Sequence, residues 1–520
     1  MRPRRYKEGI DRQSMPLPPT LEECIDLDNP VRAIEAYVET LDLRALGFLN
    51  ADGELTPGQP AYDPAVLLKL YIWGYLNRTK SSRLLERECY RDLEVIWLLR
   101  GLHPSYKTIC SFRANNAKAI TGIVKDFLSV CKELNLLGGE LVGIDSAFFE
   151  GDASKASIKT KAALQKSVKA LESKIKSYLE EKGWNEGSEE ADEDQMFQEL
   201  KNQHRDCQRK LDALEKSGDT QYSETDKDAR ILVKRTDKGP TAGYSVQCAV
   251  DAKHKLIVAH DVVNDGNDSS QLAPLAKQAM ETMGVDQLAA AADGGYYNQQ
   301  QIKECEDAGI VPYVPISKRS VSTEERKRFE RQDFHYDPDA DRYVCPTNES
   351  LLPCRSQNKN GKLMKGYASK QETCEHCPLH EKCLPEKTPY RQIFRWEHED
   401  TIERHKERME NDKGKHMHKR AELAEHPFGT MKLWMGWTHF LLRGFEKVRT
   451  EMNLLVTCYN LKRVLNILGI EDFLDYCRQR RSAVCSKKEG CFILFFRKLK
   501  LNLSKKVLFL NIQFLYLVYC

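Results

Sequence analysis

The stretch GYSVQCAVDAKHKLIVAHDVV, residues 243–263, decides the fold. Tyr244, Val246, Cys248 and Val250 recur at a period of two, the spacing of a strand with one buried face and one polar face. DAKH at 251–254 has turn composition and LIVAHDVV is a second apolar run, so the segment reads as a β-hairpin. Upstream, ELVGID at 140–145 is a short apolar run closed by Asp145. Downstream, LAAAADGGYYN at 288–298 is a short buried strand ended by Asp293 and a glycine pair. QQQIKECEDAGIVPYVPI at 299–316 then reads as helix, glycine turn and strand. Strands alternating with helices indicate an α/β fold built on a mixed sheet, with polar residues gathered at one strand edge.

Two segments interrupt this pattern. Leu164, Val168, Leu171, Ile175 and Tyr178, then Leu200, Cys207, Leu211 and Leu214, step at helical spacing on either side of a polar loop, which predicts an inserted antiparallel helical hairpin at about 155–220. The second, at about 320–400, is rich in charge and cysteine and carries too few apolar residues for a core of its own. Residues 1–135 read as short helices, one capped by Asp63 with Pro64 at its first position and another capped by Ser105. Arg78, Lys80, Arg83, Arg87 and Arg91 lie near one another there, as in a DNA-binding domain or in a plain bundle with solvated charges. GWTHFLLRGFEKVRTEMNLLVTCYNLKRVLNIL at 436–468 is a long helix expected to cover the sheet. The tail at 482–520 mixes basic and bulky apolar residues without a clear period.

Of the 520 residues 41% are apolar, enough for two or more domains with sizeable cores. A net charge of +3 does not by itself indicate nucleic acid, so local patches must carry that argument. Seventeen cysteines, an odd number spread from Cys24 to Cys520, fit a reducing compartment better than a disulfide framework. Neither the basic N-terminus nor the apolar run at 507–520, broken by Asn511 and Gln513, reads as a secretion signal or a membrane span.

Asp145 and Asp293 each have a plain explanation as capping or turn residues. Together with Glu425, in RAELAEHPFGTMKLW at 420–434, they make a hard-oxygen set suited to Mg²⁺ or Mn²⁺. Lys432 follows Glu425 by two helical turns, and Pro427 between them is expected to bend the helix. In the cysteine-rich segment, Cys345, Cys374, Cys377 and Cys383 have the spacing of a structural Zn²⁺ site, against the reading of four reduced thiols.

The blocks LVGIDSAFFEG (141–151), the run from Thr225 to Leu275 that contains the hairpin, AAADGGYYN (290–298) and AEHPFGTMKLWMGWTHFLLRGFEKV (424–448) resemble, in order, those of bacterial insertion-sequence DDE transposases. The similarity is to the group with a helical N-terminal domain and an inserted cysteine-rich segment, and it extends over roughly residues 5–475. The resemblance implies a ribonuclease-H-like catalytic domain at 139–475, a helical DNA-binding domain at 1–135 and an atypical tail beyond 482. It implies that Asp145, Asp293 and Glu425 bind two metal ions, and that Lys432 contacts a DNA phosphate. The family's signature tyrosine falls on His418 and its arginine on Ala421, leaving Arg420 as the stand-in. The implied function is metal-dependent cleavage at element ends and strand transfer into target DNA. The implied partners are the terminal inverted repeats, target DNA and a second copy in the DNA complex, in a cytoplasmic, nucleoid-associated setting without a membrane. A metal-dependent nuclease of the same fold and a catalytically silent DNA-binding relative are the alternative readings.

Overall fold

The computed structural model describes residues 20–52, 60–233, 239–316, 328–359 and 361–482. The basic N-terminus and the tail beyond 482, on which the sequence reading commented, lie outside the described residues. The chain divides into two compact units, one of 1–129, 431–437 and 446–520, the other of 130–430 and 438–445.

The first unit is helical. The helix Pro30–Glu39 starts at Asn29, whose side chain accepts from the Val31 amide. Pro64–Leu76 starts at Asp63, whose Oδ1 accepts from the Ala65 amide at 2.7 Å, as its sequence predicts. Ser105 caps Tyr106–Asn115 through the Thr108 amide at 3.3 Å. The helix Phe445–Leu468, which the sequence reading grouped with the sheet, falls almost wholly in this unit. Its residues 446–468 belong to this unit, where Met452, Leu454, Leu455, Val456, Cys458, Tyr459 and Leu461 are all buried. Thr450, Glu451, Asn453, Thr457 and Asn460 are buried along with these apolar residues, so the middle of the helix has neighbours on every side. Cys458 Sγ reaches the Ile72 carbonyl at 3.7 Å, and Glu451 forms an ion pair with Arg113 at 3.2 Å inside the core. The basic cluster is partly engaged within the unit: Lys80 lies over the Trp437 ring, Arg83 over Tyr106, and Arg87 pairs with Glu88.

The second unit is mixed α/β. Its strands in chain order are β1 (Leu141–Glu150), β2 (Ile158–Thr160), β3 (Gln221–Ser223), β4 (Arg230–Leu232), β5 (Thr241–Asp251), β6 (Ile257–Val263), β7 (Leu288–Ala291) and β8 (Ile310–Tyr313). The main sheet runs β4-β5-β1-β7-β8, with β6 sharing the β4 edge of β5. β5 and β6 form the expected hairpin, and β1, β7 and β8 are mutually parallel neighbours. The buried Asp251 anchors the turn, accepting from the amides of Lys253 at 3.1 Å, Gly138 at 3.0 Å and Gly139 at 3.2 Å.

One expectation fails here in an instructive way. Asp145 does not end its strand: β1 continues to Glu150, and Asp145 pairs with Cys248 of β5 in mid-strand. The long partner β5 supplies hydrogen bonds past the carboxylate, so the polar residue does not terminate the strand.

The helices Lys161–Lys182 and Gln195–Ser217 lie between the antiparallel pair β2 and β3, around Leu164, Leu211 and Leu214. Residues 335–396 form a second sheet of five antiparallel strands. Contrary to the sequence expectation, this segment has a small core, made by Phe334, Tyr343, Leu351, Tyr367 and Ile393. Its tyrosines bury their rings while the hydroxyls of Tyr336 and Tyr367 donate to Asp341 at 2.7 and 2.6 Å. No helix among the described residues is long and apolar enough to cross a membrane.

Candidate active site

The site starts from a glycine. A Cβ on Gly143 would lie 2.9 Å from Leu423 Cβ, so only glycine lets the helix Lys415–Gly429 approach β1 so closely. Asp145, two residues on, faces the same side of the strand. From that helix Arg420 Nε donates to the Ile144 carbonyl at 3.4 Å, and its Nη2 lies 2.7 Å from Asp145 Oδ1. The same nitrogen is 3.7 Å from Asp293 Oδ2.

Asp293 follows β7. The parallel register aligns Gly143 with Ala291, which carries Asp145 and Asp293 to the same level on adjacent chain paths. Asp293 also serves as a cap, since its Oδ1 accepts from the Gly295 amide at 2.8 Å and starts the short turn Gly294–Tyr296. One carboxylate oxygen therefore fixes the turn while the other faces Arg420. Two carboxylates so placed repel each other unless a cation stands between them, and the guanidinium occupies that position. A set of oxygen donors already attracting a cation fits a hard divalent ion.

Glu425 is not brought to this pair. It is exposed, and at 100° per residue it lies about 140° around the helix from Arg420. Glu422 is engaged elsewhere: Lys255 and Lys419 lie 3.0 and 2.9 Å away, and their donated hydrogen bonds hold its carboxyl down at about 2. The helix passes through Pro427 without breaking and ends at Gly429. It is followed by a π-helical turn, Thr430–Trp434, which carries Lys432.

Cys345, Cys374, Cys377 and Cys383 line one cavity of about 30 Å³, with His380. Backbone amides of Glu349 and Leu379 donate to the sulfurs of Cys345 and Cys377 at 3.3 and 3.4 Å. Burial and the three neighbouring thiols push the Cys383 thiol up against the pull of Arg391. Among the described residues, no three His, Cys, Asp or Glu side chains are gathered closely enough to hold a metal ion as they stand.

The sequence reading missed the residues beneath the carboxylates. Ser245 and Gln247 occupy the polar alternation of β5, which would ordinarily be solvated, yet both are buried, and Gln247 is only 1% exposed. The polar period was visible, and its burial was not.

Two stretches match known families: residues 19–115 match a transposase domain (DUF772), and residues 344–465 match the transposase DDE domain. The second match includes Glu425 and Lys432 but neither aspartate. A cryo-EM structure of a piggyBac transposase synaptic complex with hairpin DNA aligns over 95% of this chain and 89% of that one, at 9% identity and a TM-score of 0.32. No curated protein matches the chain. Both matched domains are typical of insertion-sequence DDE transposases, and they occur in order along this one polypeptide.

Proposed function

We propose that the chain cleaves DNA at the ends of an insertion sequence and joins the freed 3′-hydroxyl to target DNA, at a site on a ribonuclease-H-like sheet. The observation that carries this reading is the pair Asp145, on β1, and Asp293, just past the end of the parallel neighbour β7, bridged by a cationic side chain. These two would hold divalent ions, Mg²⁺ or Mn²⁺, and Glu425 would complete the set only once the helix Lys415–Gly429 turns it toward the pair. Such ions, when bound, activate an attacking oxygen and steady a leaving one.

The chain's own groups orient the DNA. Lys432 holds a phosphate as a point charge, and Arg420, once exchanged from the carboxylates, holds another. The helical domain at 1–135 binds the terminal inverted repeats, the catalytic domain at 139–475 also receives target DNA, and two copies assemble on the DNA in the cytoplasm, at the nucleoid. Cys345, Cys374, Cys377 and Cys383 would hold a structural Zn²⁺ on closing together, a reading supported by their common cavity and by the amides donating to sulfur.

The test compares end binding, nicking and strand transfer for Asp145→Ala, Asp293→Ala, Glu425→Ala and Lys432→Ala. Each acidic variant should lose both chemical steps while still binding ends, because phosphate contacts elsewhere supply affinity. Lys432→Ala should slow turnover without removing metal. Activity retained by all three acidic variants would overturn the mechanism.

A further inference from the structure

A chain of polar side chains, buried except for the half-buried Asp268, lies under the carboxylate pair. Successive residues of a strand face opposite sides, so Ser146 points away from the face that carries Asp145 and Arg420. The antiparallel register sets Ser146 opposite Gln247 of β5. Ser146 Oγ donates to Asp268 Oδ2 at 3.0 Å, and Gln247 Nε2 donates to Asp268 Oδ1 at 2.5 Å and to Ser245 Oγ at 3.2 Å. On its other side Gln247 accepts, through Oε1, the hydroxyl proton of Tyr296. Tyr296 and Ser245 are fully buried, and Ser146 is 7% exposed.

The chemistry allows one arrangement. Asp268, as a carboxylate, only accepts, so the amide must turn its nitrogen toward Asp268 and its oxygen toward Tyr296. The Tyr296 hydroxyl remains a donor, since burial and the charges of Asp268, Asp145 and Asp293 push its pKa well up. Phe and Leu would fill the same space without polar groups to satisfy, and burying such groups is costly unless each is bonded. A fully bonded network instead fixes distances.

Its two ends identify which distance. Tyr296 closes the turn that Asp293 caps, and Ser146 is the residue after Asp145. We propose that Tyr296, Gln247 and Asp268 are positioning residues that set the separation of Asp145 and Asp293 from the far face of the sheet, so that the pair accepts a divalent cation. This rests on the metal-binding reading of the two aspartates.

The full chain is titrated with Mn²⁺, following free Mn²⁺ by electron paramagnetic resonance, for wild type, Asp145→Ala, Tyr296→Phe and Gln247→Glu. Thermal midpoints are measured without metal, and DNA-end binding alongside. Tyr296→Phe keeps the ring and should fold. Its Mn²⁺ affinity should fall by about tenfold, the cost typical of losing an outer partner of a ligand, with end binding unchanged and nicking recovered at high Mn²⁺. Gln247→Glu sets a second carboxylate against Asp268 and should move affinity the same way. Affinities within about twofold of wild type in the folded variants would reduce the network to packing and overturn the proposal. Wild type binding Mn²⁺ no better than Asp145→Ala would instead overturn the metal reading, and this one with it.

Discussion

Arg420 and Asp145 are joined across a helix–strand contact by an ion pair of 2.7 Å, and the same guanidinium reaches toward Asp293 at 3.7 Å. A cation entering between the carboxylates must displace it. Arg420→Gln should therefore lower metal-free stability, by about 1–2 kcal/mol for a partly buried pair, because the carboxylates are left facing each other. It should also raise Mn²⁺ affinity. The measurement is the thermal midpoint in chelator and in Mn²⁺: the metal-induced rise should be larger in the variant, and a smaller rise would refute the competition.

Glu422 and Glu425 lie one turn apart on the same helix, and their surroundings assign them differently. Both are exposed, and Glu422 is held by Lys255 and Lys419. Glu422→Gln should nick element ends at close to the wild-type rate, and Glu425→Gln should fall by about a hundredfold or more. The reverse order would move the third carboxylate to Glu422.

Gly143 sets how closely that helix lies. In Gly143→Ala the new methyl group would meet Leu423 Cβ at 2.9 Å, which either shifts the helix or strains the strand. A loss of about 1–3 kcal/mol is expected on denaturant unfolding, with weakened Mn²⁺ binding as Asp145 loses its register with the helix. An unchanged unfolding midpoint would show that the contact relaxes freely.

Purified protein should carry about one Zn²⁺ per chain, lost in the double variant Cys374→Ser with Cys377→Ser. Metal-free protein whose segment at 335–396 remains protected from proteolysis would mean that the aromatic core of that sheet suffices.

His405 is fully buried, with Nε2 donating to the Val314 carbonyl at 2.9 Å and Nδ1 without a partner. Burial lowers its pKa first, and Arg408 adds to this, while Glu306 and the Val314 carbonyl oppose it. The unfolded chain takes up a proton near pH 6.5 that the folded chain refuses, so stability rises with pH through this window and falls as pH drops below it. The contribution is up to about 1.4 kcal/mol per pH unit. The wild type should lose stability more steeply than His405→Phe between neutral and mildly acidic pH, and equal slopes would rule the group out.

Local chemistry was the legible part of the sequence. The cap at Asp63, the turn anchored by Asp251 and the alternation in residues 243–251 all depend on residues close in the chain. What escaped depends on partners supplied from afar. Asp145 read as a strand end because nothing nearby indicates that β5 would carry the ladder beyond it. Gln247 was not singled out because Tyr296 and Asp268, which satisfy it in its buried place, are distant in the sequence. The core of the cysteine-rich segment was missed because it is built largely from tyrosines, and the hydroxyls of Tyr336 and Tyr367 find Asp341 only once the sheet has formed.

The two long helices of residues 161–217 leave and rejoin the fold at a doorway: Thr160 and Gln221 are direct partners in a short antiparallel ladder. Everything between these residues can lengthen, shorten or be replaced by a tight loop while the ladder stays closed. The excursion is therefore a detachable arm, free to diverge at a different pace from the sheet that carries Asp145 and Asp293.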